Sequence, residues 1–88
     1  MKEDGTKLDE RSRAILDFER SWWQQPGPKE RRIEKCFSLS PARYHQLLNR
    51  LIERPEALRY DPMLVRRLRR LREARRRKRS AQRVGVEI

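Results

Sequence analysis

Pro26, Pro28, Pro41, Pro55 and Pro62 divide the middle of this chain into short pieces. Proline lacks the backbone N–H and clashes with the preceding turn, so a helix can start at one of these positions but cannot run through it. Between the prolines the apolar residues recur with a helical period. The chain is therefore expected to be all-α, a three- to four-helix body made of short segments.

Leu8, Ile15 and Trp22 recur every seven residues with Phe18 on the same face, which predicts a first helix from Leu8 to about Trp23. Leu16 and Trp23 widen its stripe, so it should pack against two neighbours. Trp22, Trp23, Phe18 and Tyr44 are assigned to the core rather than to base stacking, because they lie on apolar stripes. Gln24 to Pro28 breaks the chain. A second helix is expected from Pro28 or Lys29 to Phe37, with proline at the first helical position and Ile33 and Phe37 facing inward. Ser40-Pro41 is a cap followed by a proline start, and it opens the clearest helix, Pro41 to Glu53. Tyr44, Leu47, Leu48, Leu51 and Ile52 form its apolar stripe. Residues 55–58 suggest a turn of helix, and Asp61-Pro62 repeats the start signal. The last helix should dock through Leu64, Val65, Leu68 and Leu71. Beyond Arg72 no apolar residue larger than alanine appears until Val84, so 72–83 either projects as a lone helix or orders on a partner. The organisation expected is a mobile leader over 1–7, a helical domain over 8–71 and a basic arm over 72–88.

Charge separates these parts. Arg66, Arg67, Arg69, Arg70, Arg72, Arg75, Arg76, Arg77, Lys78, Arg79 and Arg83 face a single acid, Glu73, and supply ten of the chain's net +11. The preceding residues are nearly neutral. A run this dense repels itself and calls for a polyanion, of which DNA and RNA are the commonest inside cells. These eleven residues are the candidates for contact with a phosphate backbone.

Ile33, Phe37, Leu39, Tyr44 and Leu47 repeat the spacing of a helix-turn-helix, with two inner residues from each helix and one apolar plug in the turn. The second helix of such a pair can enter a major groove. On its outer face Arg43 and Arg50 suit phosphate or guanine, and Gln46 and Asn49 suit adenine edges. His45 lies beside the stripe and is expected to be partly exposed. The usual pattern has a small residue after the first inner position and glycine in the turn; Glu34 and Ser38 stand there instead.

Other functions are poorly served. Cys36 is the only cysteine and His45 the only histidine, so neither a disulfide within the chain nor a zinc site is expected. Cys36 is read as a small, partly buried thiol in a reducing compartment. No apolar run is long enough to span a membrane, and the N-terminus lacks a signal-peptide core. There is no glycine-rich phosphate loop or nucleophile elbow, and the carboxylates fall mostly on outer helix faces or in the leader. An enzyme is not expected, and no cofactor is implied.

The run Ala14 to Trp23 resembles the opening of a family of short actinobacterial proteins long catalogued as a domain of unknown function. Leu39 to Asn49, Arg54 to Leu58 and Asp61 to Arg72 continue the likeness, which covers most of residues 14–83. The resemblance implies a helix-turn-helix protein that binds DNA, with nucleoid-associated members and no catalytic residues to carry over. The doubled proline of Pro26-Gly27-Pro28 departs from the expected, less rigid link. The function expected is weakly sequence-specific DNA binding, architectural or regulatory, in the cytoplasm on the nucleoid. Two alternatives stay open: an RNA- or ribosome-binding protein, and an adaptor using its arm on RNA polymerase or another part of the transcription machinery. A homodimer fits the motif, although no long heptad seam is present.

Overall fold

The computed structural model describes residues 8–87, with side chains for residues 8–80. The expected leader over 1–7 lies outside the described residues. Every element is helical: α1 Glu10–Ser21 followed by a 3₁₀ turn Trp22–Gln24, α2 Lys29–Phe37, α3 Pro41–Leu51, α4 Pro55–Tyr60 and α5 Pro62–Glu87. The all-α expectation holds.

Side-chain caps mark three of the starts. The Asp9 carboxylate accepts the Ser12 N–H at 2.8 Å, so α1 begins two residues later than the stripe suggested. That hydrogen bond also holds the Asp9 carboxyl below the usual carboxylate range. Ser40 Oγ accepts the Arg43 N–H at 3.2 Å, and Asp61 Oδ1 accepts the Leu64 N–H at 3.4 Å, as the cap-plus-proline signals predicted. Pro28 departs from expectation. It stands outside α2 with ψ near 143°, and its carbonyl accepts the Arg32 N–H, so the helix proper starts at Lys29.

The core draws on every helix. Ile15, Leu16 and Phe18 of α1 meet Ile33 of α2, Tyr44, Leu48 and Leu51 of α3, Ala57 of α4, and Leu64 and Val65 of α5. Three rings interlock at its centre. Phe18 stands edge-on to both Phe37 and Tyr44, with centroids 5.5 and 5.9 Å away, which is the favoured arrangement for ring quadrupoles. Trp22 and Phe37 pack against this core partly buried.

Two core assignments are corrected. Trp23 is 61% exposed. The chain tightens into a 3₁₀ turn after Ser21, which rotates Trp23 off the α1 stripe, and its indole N–H donates to the Arg20 carbonyl at 3.1 Å. Leu71 is 45% exposed, because it stands on a face of α5 other than the one through which its neighbour Arg72 meets the end of α3. Cys36 is exposed on α2 rather than partly buried.

Glu19 is the exception, among the described residues, to the reading that the carboxylates lie mostly on outer faces. It is 4% exposed, and a buried charge is tolerated only when paired and hydrogen-bonded. Its carboxylate accepts the Tyr44 hydroxyl and lies 3.1 Å from Lys29 Nζ. Burial first, and the Glu19 charge second, push the Tyr44 phenol well above its ordinary range, so it acts as a neutral donor. One carboxylate thus joins α1, α2 and α3. On the opposite side Tyr60 donates to Asp17 at 3.0 Å and Arg20 pairs with Asp61 at 3.4 Å, tying α1 to the joint between α4 and α5.

Helix α5 continues without a break from Pro62 to Glu87, a length of about 39 Å at 1.5 Å per residue. Of the two outcomes foreseen for the arm, the structure has the helical one.

Candidate nucleic-acid interface

The eleven basic residues proposed for backbone contact fall into separate groups. Arg69 and Arg72 are half-buried and turned inward. Arg69 Nε donates to the Ile52 carbonyl at 2.6 Å. Arg72 Nη1 donates to the Asn49 carbonyl at 3.3 Å, and its guanidinium pairs with Glu53. The last carbonyls of a helix lack partners within it and carry the negative end of its dipole. The two arginines satisfy that end of α3 and fasten it to α5.

Arg66, Arg67, Arg70, Arg75, Arg76, Arg77, Lys78 and Arg79 are exposed. Of these, Arg76 lies 3.3 Å from Glu73, and the others make no ion pair among the described residues. The side chain of Arg83 lies outside the described residues. The densest run of free positive charge among the described residues is therefore on α5 from Arg66 to Arg79, less the two clamps.

Arg43, Gln46, Asn49 and Arg50 are all exposed on α3 and form one continuous surface. At about 100° per residue, Arg43 and Arg50 fall on one flank, Gln46 on the crest, and His45 and Asn49 on the flank towards α5. Arg43 Nη1 donates to Gln46 Oε1 at 3.3 Å, so these side chains are already mutually oriented. Helices α2 and α3 join through three residues. Ser38 takes a left-handed conformation, φ 56° and ψ 38°, at the position where glycine was expected. Of the five helix-turn-helix positions, Ile33 and Tyr44 are buried and Phe37, Leu39 and Leu47 half-buried.

Some cations near this surface were not singled out from sequence. Arg11 in the first turn of α1 and Arg54 just before α4 lie beside Arg50. Lys29 of α2, likewise unmarked in the sequence, joins the expected Arg75 and Arg79 of α5 on the α3 flank that carries His45. No periodicity in the sequence could have brought Lys29 and His45 together, because they sit on different helices and come to one recess only when α2 and α3 pack.

Among the described residues no helix is long and apolar enough to cross a membrane, and no group of three His, Cys, Asp or Glu side chains is placed to hold a metal. The class defined so far is a small all-α domain with a cationic C-terminal helix. The chain belongs to the family described as protein of unknown function DUF3263, which matches residues 7–80 and so takes in the body and the first turns of the arm. No curated protein and no solved structure matches it.

Proposed function

We propose that this protein binds duplex DNA, mainly through its phosphates, as a nucleoid-associated or transcription-regulatory protein. The observation that carries the reading is a continuous helix of exposed, largely unpaired cations beside the polar outer face of α3. In this reading α2 and α3 act as a helix-turn-helix, with Ser38 supplying the left-handed turn. Helix α3 lies in or over a major groove and presents Arg43, Gln46, Asn49 and Arg50. The arm follows the backbone, where arginines bind well and read little sequence. Low specificity follows, since four reading side chains compete with an arm that carries most of the net charge.

The test is a titration of the full chain against a random-sequence duplex at several salt concentrations. About 6–8 phosphate contacts would cost roughly three to four decades of affinity between about 50 and about 200 mM salt, because each contact releases counterions. Replacing Gln46 and Asn49 by Ala should change the preference among duplexes more than the total affinity. Absence of binding at low salt would end the DNA reading.

A further inference from the structure

The arm does not leave the body at once. Between α3 and the first exposed turns of α5 lies a cleft of about 370 Å³, with Lys29, His45, Arg75 and Arg79 around it and Leu48 and Leu68 in its wall. Glu19, at 4% exposure, is the cleft's acid, and Lys29 lies against it at 3.1 Å. Arg72, which also lines the cleft, is occupied by Glu53 and the Asn49 carbonyl. Arg75 and Arg79 are four residues apart on one face of α5 and make no ion pair among the described residues. The cleft thus holds more positive than negative charge, which favours an anion in it.

We infer that this cleft is a phosphate seat, in which Arg75 and Arg79 hold the oxyanion and His45 donates to it, while Lys29 stays on Glu19. Resting on the DNA reading above, the occupant is a backbone phosphodiester, placed between the α3 surface and the arm. The same chemistry would take a free phosphate.

His45 makes the seat responsive to protons. Burial pushes its pKa below the usual imidazole range, and the Lys29 charge pushes the same way. Of the other groups facing it, Arg75 from α5 lowers it further, while Glu19 from α1 and Glu30 from α2 oppose. These groups together favour the neutral imidazole when no anion is bound. A phosphate beside it reverses the balance, because a nearby anion favours the charged form. Binding then takes up a proton, and affinity rises as the pH falls through the interval between the free and the occupied pKa. A rise of about one unit on binding corresponds to about a tenfold gain in affinity.

His45 is the only histidine in the chain, so its ring protons give one assignable NMR titration. The imidazole would be followed against pH with the full chain alone, with a short duplex, and with inorganic phosphate, at constant ionic strength. The expected result is a raised His45 pKa with duplex and DNA binding about tenfold tighter at the acidic end. The H45Q variant should lose that tightening. The double change R75Q/R79Q should lose it too, whereas R76Q/R77Q, with the same loss of charge, should bind more weakly yet keep the pH dependence. Duplex binding that is salt-dependent but leaves the His45 titration unmoved would overturn the seat while leaving the DNA reading intact. If no duplex bound at any pH, the DNA reading would fall. Inorganic phosphate would then decide alone: a raised His45 pKa retains a phosphate site, and an unmoved one removes it.

Discussion

The body and the arm are built from the same secondary structure, yet they hold it by different means. In the body each helix is short and buries a stripe: Leu16 of α1, Ile33 of α2 and Tyr44 of α3 are fully enclosed. From Glu73 to Ser80, α5 buries no side chain fully, and its cations repel one another along the same faces. It is a helix because it continues one already nucleated and docked at Leu64 and Val65, so it avoids the unfavourable first turn. Arginine itself changes role across the boundary. Arg69 and Arg72 close the end of α3, Arg75 and Arg79 line the cleft beside it, and Arg76, Arg77 and Lys78 face solvent. Net charge counted along a sequence therefore overstates the charge free to meet a partner, and only the contacts show by how much.

The largest expected effect sets a core leucine against the exposed leucine just before the arm. Leu16→Ala should cost about 2–5 kcal/mol, enough to unfold much of a domain this small, whereas Leu71→Ala should cost under about 1 kcal/mol. Paired urea melts would show it, and similar losses at both sites would mean that Leu71 is packed after all.

Removing residues 74–88 comes next. Glu73 and Arg72 are kept so that the α3 clamp survives. The body should keep a cooperative melt close to that of the whole chain, while the slope of log affinity against log salt flattens by up to about 5, for the six basic residues removed. An unchanged slope would place the DNA contacts on the body.

A single-residue version sharpens the same boundary. Arg72→Met should lower stability by about 1–3 kcal/mol through the uncapped α3 carbonyls, with little effect on the salt slope. Arg77→Met should do the reverse, staying within about 0.5 kcal/mol in stability and reducing the slope by about 1. Equal behaviour of the two would erase the distinction between clamp and contact.

Much of this was legible from sequence because the signals were local. Ser40-Pro41 and Asp61-Pro62 place a cap and a proline start within two residues, and the α3 stripe is complete over three turns. The readings that failed depended on where neighbouring elements lie. Trp23 was on the right stripe for a continuous α-helix, but the chain tightened one residue earlier. Glu19 sits one position beyond Phe18, and only the approach of α2 and α3 made that position interior. Of the interface, the α3 residues and the cations of α5 could be named from pattern and charge. Their division into clamps and free groups could not.

The sequence by itself determined the helical class, most of the element starts, the core stripes of α2 and α3, and the concentration of charge after Val65. These rest on backbone chemistry, on a period of 3.6 residues and on counting, all of which act within a few residues. The tertiary structure alone decided which carboxylate is buried, which arginines are spent on α3, and that Lys29, His45, Arg75 and Arg79 share one cleft. Those outcomes depend on desolvation and on distances between residues far apart in the chain, and such distances exist only once the helices have packed.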